Sequence, residues 1–155
     1  RQLSANDSTK AAKYATTQKN LDEVFVQVAN CEDMVPVLEN KLNDAPDDMD
    51  IKKKSLRLLN EKGCTDNAIF LPLAEAVYAE EKNADAAYSI GIQLAKKGDY
   101  TAALPYFEEA VELCEDCPKL ARNLMKAGQA AKNAGQVSKC IRYARKAAKA
   151  VLTVL

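Results

Sequence analysis

Tyr88-Ser-Ile-Gly-Ile-Gln-Leu-Ala-Lys-Lys-Gly98 and Met125-Lys-Ala-Gly-Gln-Ala-Ala-Lys-Asn-Ala-Gly135 are two copies of one pattern. Within each copy the glycines stand seven residues apart, and the copies are offset by 37. A new stretch of helical period follows each closing glycine, over 101–114 and 137–152. Gly63 lies 35 residues before Gly98 and separates two further helical stretches, 51–62 and 66–81. Gly63, Gly98 and Gly135 stand where a helix must end, because glycine takes the left-handed terminating conformation without a Cβ penalty. Gly91 and Gly128 fall inside helices, at a cost of roughly 1 kcal/mol each against alanine. The spacing predicts that another helix backbone approaches closely there. Two antiparallel helices, a tight turn and a small residue at the crossing make a hairpin, and a row of hairpins makes a solenoid.

Helices are expected over 8–29, 33–43, 48–62, 66–81, 84–97, 101–114, 118–133 and 137–152. Asp33, Asp66 and Asp99 are candidate N-caps, and Pro118 suits a first turn. Pro72 and Pro105 fall past the first turn if Asp66 and Asp99 cap, so those helices either start later or are kinked.

At this point a family resemblance emerges. Residues 84–117 resemble a tetratricopeptide repeat (TPR) through Ile90-Gly91, Leu94, Gly98-Asp99-Tyr100, Ala103, Phe107 and Ala110. Ala87 departs from the pattern, where the family often has tryptophan. A second copy resembles it through Leu124, Ala127-Gly128, Ala131, Gly135-Gln136-Val137, Cys140, Ala144 and Ala147, with Ala144 replacing the usual large aromatic. Leu56, Leu59, Gly63, Ala68 and Ala76 mark a degenerate third copy, and 17–48 holds a faint fourth. The resemblance implies an all-α, right-handed solenoid of antiparallel hairpins. Its domains are a degenerate N-terminal helical segment, 1–49, and one continuous domain, 50–155, with hairpins over 50–83, 84–117 and 118–152.

Composition excludes several chemistries. The 155 residues contain no histidine and no tryptophan. Ser-His-Asp and Cys-His catalysis and any imidazole zinc site are thereby ruled out. No glycine cluster resembles a phosphate-cradling loop. Adjacent acids such as Glu108-Glu109, Glu80-Glu81 and Asp47-Asp48 point apart on a helix and read as a solvated face. Cys114-Glu-Asp-Cys117 is open to three readings: loop cysteines without function, a local disulfide, or metal and redox chemistry. Its acidic neighbours and its place at a helix C-terminus disfavour a reactive thiolate, and no second cysteine pair completes a zinc site. Stacked turns about 10 Å apart place Cys31 and Cys64 beyond disulfide reach of each other. No cofactor, no metal and no catalytic residue are expected, and the chain reads as a non-enzyme.

Charge is even overall, with 22 basic and 22 acidic residues, but uneven along the chain. Residues 1–50 hold five basic and ten acidic residues, whereas 119–155 hold nine basic and no acidic one. A basic helix alone gives nonspecific nucleic-acid binding; in a neutral protein with only Tyr143 to stack on a base, no nucleic-acid partner is expected. No apolar run is long enough for a membrane span. The apolar face Val137, Ile141, Ala144, Ala148 and Val151 is expected to stack on the preceding hairpin rather than on a membrane.

In the resembling family the first helix of each hairpin lines a concave groove. The residues this implies are Lys53, Arg57 and Asn60, then Tyr88, Ile92 and Lys96, then Arg122, Met125, Gln129 and Lys132. Tyr88 and Ile92 break the basic set of the family's chaperone-tail clamp. The expected function is a non-catalytic protein-interaction scaffold that holds a peptide or protein in this groove, an acidic one where Arg and Lys contribute charge-assisted bonds. The alternative is an assembly fragment of a longer repeat array that self-associates through its C-terminal helix. Arg1 in place of methionine and the apolar end 151–155 are expected of a processed product or an excised fragment. Compartment stays open between the cytosol and export after removal of a signal peptide.

Overall fold

The computed structural model describes residues 29–114 and 117–154. The chain divides into two compact units, Arg1–Pro46 and Asp47–Leu155. In the first, α1 spans Cys31–Asp44, with Met34 and Leu38 buried. Its N-cap is Asn30, whose side chain accepts from the Asp33 amide at 2.9 Å, so Asp33 lies in the first turn instead of capping it. The helix expected over 8–29 lies outside the described residues.

The second unit consists of α2 (Met49–Glu61), α3 (Phe70–Glu80), α4 (Ala84–Lys96), α5 (Tyr100–Glu112), α6 (Leu120–Asn133) and α7 (Val137–Val154). Among the described residues there is no strand. Consecutive helices pack as hairpins α2/α3, α4/α5 and α6/α7, and α3 packs on α4 and α5 on α6. The expected all-α solenoid of stacked antiparallel hairpins is therefore the fold.

One device ends the first helix of every hairpin. Gly63, Gly98 and Gly135 have φ of 69°, 80° and 80°. The amide one residue beyond each glycine reaches back to a carbonyl in the last turn: Cys64 to Leu59 at 2.8 Å, Asp99 to Leu94 at 3.0 Å, Gln136 to Ala131 at 2.7 Å. With the glycine amides bonded to Asn60, Ala95 and Lys132, each end is a Schellman motif. Asp99 caps α5 as expected, accepting from the Ala102 amide. Asp66 does not cap α3. Asn67 fixes that entry instead, accepting from the Ile69 and Phe70 amides. The later start brings Pro72 into the first turn, where no intrahelical donor is lost. Pro105 stays inside α5, and Pro118 lies just before α6 rather than within it.

The core cluster is mostly alanine, with Tyr88, Phe107 and Tyr143 as its large members. Small residues let the helices come close, and a few rings fill the space between them. Phe107 is 1% exposed and meets Tyr88 edge-on, with ring centroids 5.8 Å apart. A Cβ added at Gly91 would lie 2.8–3.0 Å from that ring. At Gly128 the equivalent Cβ meets only ordinary contacts, the nearest being Tyr143 Cβ at 3.5 Å and the Cys140 carbonyl at 3.6 Å. The two glycines thus have different reasons: Gly91 admits an aromatic ring, whereas Gly128 faces the α7 backbone.

That backbone is turned by one residue from expectation. The face of α7 toward the stack carries buried Tyr143 and Ala147, with half-buried Cys140 and Ala150 beside them. Val137, Ile141, Ala144, Ala148 and Val151 are exposed, so this apolar face does not stack on the preceding hairpin. A one-residue shift rotates a helix face by about 100°, and the larger Tyr143 takes the inner position in preference to Ala144.

The second helices are also tied to one another. Tyr78 donates to Glu109 at 2.7 Å and meets Tyr106 edge-on, while Tyr143 donates to Glu108. The bond to Glu109, helped by burial and by the carboxylate's charge, pushes the Tyr78 phenol up to about 12. Burial first, then the bond to Glu108, raises Tyr143.

Cys114 and Cys117 form a disulfide, with Cα atoms 5.1 Å apart, which selects the second of the three readings of that motif. Cys31 and Cys64 are each disulfide-bonded cysteines.

Two predictions follow from this packing. Gly128→Ala should stabilise the fold by up to about 1 kcal/mol, whereas Gly91→Ala should destabilise it by about 1–3 kcal/mol, because the buried Phe107 ring has nowhere to retreat. Urea denaturation of both variants measures the contrast, and equal effects would remove the distinction. Second, the Tyr78 phenol is raised above its unfolded value near 10, so its contribution is full below about pH 10 and is lost as pH rises through about 12. Tyr78→Phe should flatten the wild-type stability loss in that window, read as melting temperature against pH.

Candidate functional site

The residues expected to line a groove fall into sets by their distance from the glycine that ends each first helix. Ten residues before it stand Lys53, Tyr88 and Met125; six before it stand Arg57, Ile92 and Gln129; three before it stand Asn60, Ala95 and Lys132. Helical geometry places each set at one angular position on α2, α4 and α6.

The sets differ in what the stack leaves open. Asn60 is buried and donates to Ser89 Oγ at 2.8 Å, while Ser89 donates to the Asp85 carbonyl at 2.6 Å. Tyr88 is buried between Phe107 on one side and Arg122 on the other, with the guanidinium carbon 3.8 Å from the ring centroid. A cation over an aromatic face is attractive and strengthens as water is excluded. Asn60, Tyr88 and Arg122 are therefore engaged in holding adjacent hairpins together. Lys53 pairs with Glu81. Lys96, though exposed, donates to Thr65 Oγ1 at 2.6 Å.

What remains open is the set six before the glycine and the outer end of α6. Arg57 and Gln129 are exposed and Ile92 is half-buried, so this row is accessible on all three first helices. Met125 and Lys132 are exposed on α6. The structure thus separates the ten expected residues into a structural group and an accessible row of one cation, one aliphatic and one amide, extended by Met125 and Lys132.

Sequence reasoning missed Asp85, the node between hairpins. Its carboxylate lies 3.4 Å from Lys119 and 3.8 Å from Arg122, and Lys119 also reaches Glu61 at 3.2 Å. Its backbone carbonyl accepts from Ser89 and Asn60. The sequence signal was available: Asp85 follows the cap Asn83, which accepts from its amide at 2.8 Å, and the helix dipole favours an acid in a first turn. A cleft of about 210 Å³ opens beside this node, lined by Leu113, the Cys114–Cys117 bond, Pro118 and Arg122. Its cations already face Asp85, so it has no unpaired charge to offer a small anion.

Among the described residues, no three Cys, Asp or Glu side chains gather as metal ligands would. No described helix is long and apolar enough to cross a membrane.

No protein-family model matches the chain, and no curated protein matches it. Solved structures do. MamA MSR-1 superposes with a TM-score of 0.65 at 18% identity, covering 87% of this chain and 75% of that one. A structure of MamA AMB-1 gives 0.65 at 19%, covering 86% and 76%, and another gives 0.62 at 19%, covering 83% and 74%. MamA is a TPR-like helical repeat protein. At such low identity the likeness speaks for the fold, and the fold is a TPR-like α-solenoid.

Proposed function

We propose that the chain is a non-catalytic protein-interaction scaffold that holds a peptide segment along the first helices of its hairpins. The observation that carries this reading is the row Arg57, Ile92 and Gln129: one position, repeated in every hairpin, and accessible each time. A repeated accessible position suits a partner that is itself repetitive along its length, such as an extended strand or a helix. Arg57 and Lys132 supply charge-assisted bonds to carboxylates, and Ile92 supplies an apolar contact between them. An acidic segment with an apolar residue at its middle fits this order. The lack of histidine supports a binding role over a catalytic one.

Selection of a displayed random-peptide library on the immobilised chain tests the reading. Enriched sequences should carry Asp or Glu flanking an apolar residue. Arg57→Glu with Lys132→Glu should weaken their binding by about tenfold or more, since each reversal replaces an attraction with a like-charge contact. Both substituted side chains are exposed, so the melting temperature should not move. Enriched peptides that bind the double variant as tightly as the parent would refute the groove.

A further inference from the structure

The 37-residue register allows the last hairpin to be compared with the one before it, position by position. Tyr88, Leu104, Phe107 and Cys114 are 6%, 2%, 1% and 3% exposed. α6 follows and packs against α5, with Arg122 of α6 over the Tyr88 ring, while Phe107 also lies over Gly91 of its own hairpin. Their counterparts 37 residues on are Met125, Ile141, Ala144 and Val151. Met125, Ile141 and Val151 are 63%, 48% and 46% exposed, and Ala144 is exposed as well. The seat that α4 and α5 offer to α6 is thus repeated by α6 and α7, apolar in the same places, and no described residue sits on it. Its form is that of a helix seat, because its internal counterpart holds a helix.

The charges around the seat differ between the two copies. Glu108 and Glu112 on α5 are replaced at the same register by Arg145 and Lys149 on α7. Inside the stack the acidic edge meets bases of the following hairpin: Glu108 faces Lys139 at 3.5 Å, and Asp85 faces Lys119 and Arg122. On α7 the edge is basic. Arg142, Arg145, Lys146 and Lys149 form no ion pair with any described residue, and residues 119–155 contain no acid. Two such faces brought together would oppose like charges across the apolar strip, which is costly. We propose that the face formed by Met125, Ile141, Ala144 and Val151 is a docking site for an amphipathic helix of a partner protein. That helix lays its apolar stripe on these residues and places acidic side chains against Arg145 and Lys149. This site is separate from the row along the first helices.

Three synthetic helical peptides with one Leu/Ala face, flanked by Glu, Gln or Lys, test it by fluorescence anisotropy on the full chain. The Glu peptide should bind about tenfold or more tighter than the Lys peptide, and less tightly as salt rises. Ile141→Glu should abolish binding with melting unchanged, and Arg145→Glu with Lys149→Glu should invert the preference toward the Lys peptide. Arg57→Glu should leave binding as it is, so failure here and failure of the groove reading are separable. Absence of binding by the Glu peptide, or a Gln peptide that binds as tightly, overturns the proposal. So does sedimentation showing that the chain pairs with itself and that Ile141→Glu abolishes the pairing, because the occupant would then be a second copy.

Discussion

No hairpin of this chain can hide its apolar surface by itself, and the rest of the structure follows from that. One face of α5 is closed by its own partner α4, through Phe107 lying over Gly91. α6 packs on α5 in turn. Removal of apolar surface from water is the main favourable term in folding, so each hairpin requires its neighbour, and stability spreads along the stack as a sum of local terms. A core built largely from alanine gives little burial per residue. It places unusual weight on the few rings, Tyr88, Phe107 and Tyr143, that fill the crossings.

Polar groups then fix how adjacent hairpins register. Alanine faces slide easily, since one methyl resembles the next. Asp85, Asn60, Ser89 and Asn123 remove that freedom: each is bonded to a residue of another element or of the next turn. Arg122 ties the two kinds of contact together, because it covers the Tyr88 ring and also faces Asp85. The second helices add Tyr78 on Glu109 and Tyr143 on Glu108. The basic edge of α7 has no acidic partner among the described residues.

The helix order and hairpin ends were legible in the sequence because they depend on local chemistry. A glycine at the end of a periodic stretch has one economical use, and all three that end first helices adopt positive φ. Cap identities were less legible. Asn30, rather than Asp33, caps α1, and Asn67 displaces Asp66 at α3, because Asn and Asp cap almost equally well and the choice falls to the path of the preceding loop. Of the ten residues expected to line a groove, the angular positions were readable, but which ones stay open was not. Tyr88 and Met125 share a position, yet one is buried and the other is exposed.

What the sequence determined by itself is the repeat: its period, the bends that end the first helices, and the small residues that let helices approach. These follow from backbone conformations and helical spacing, which reach only a few residues along the chain. Tertiary structure alone decided which side of α7 faces inward and which former surface residues became joints between hairpins. Those outcomes depend on the volume of Tyr143 against Ala144 and on which neighbouring helix packs on each position. A rotation of one residue moves a whole apolar stripe from core to solvent without changing a single letter of the pattern.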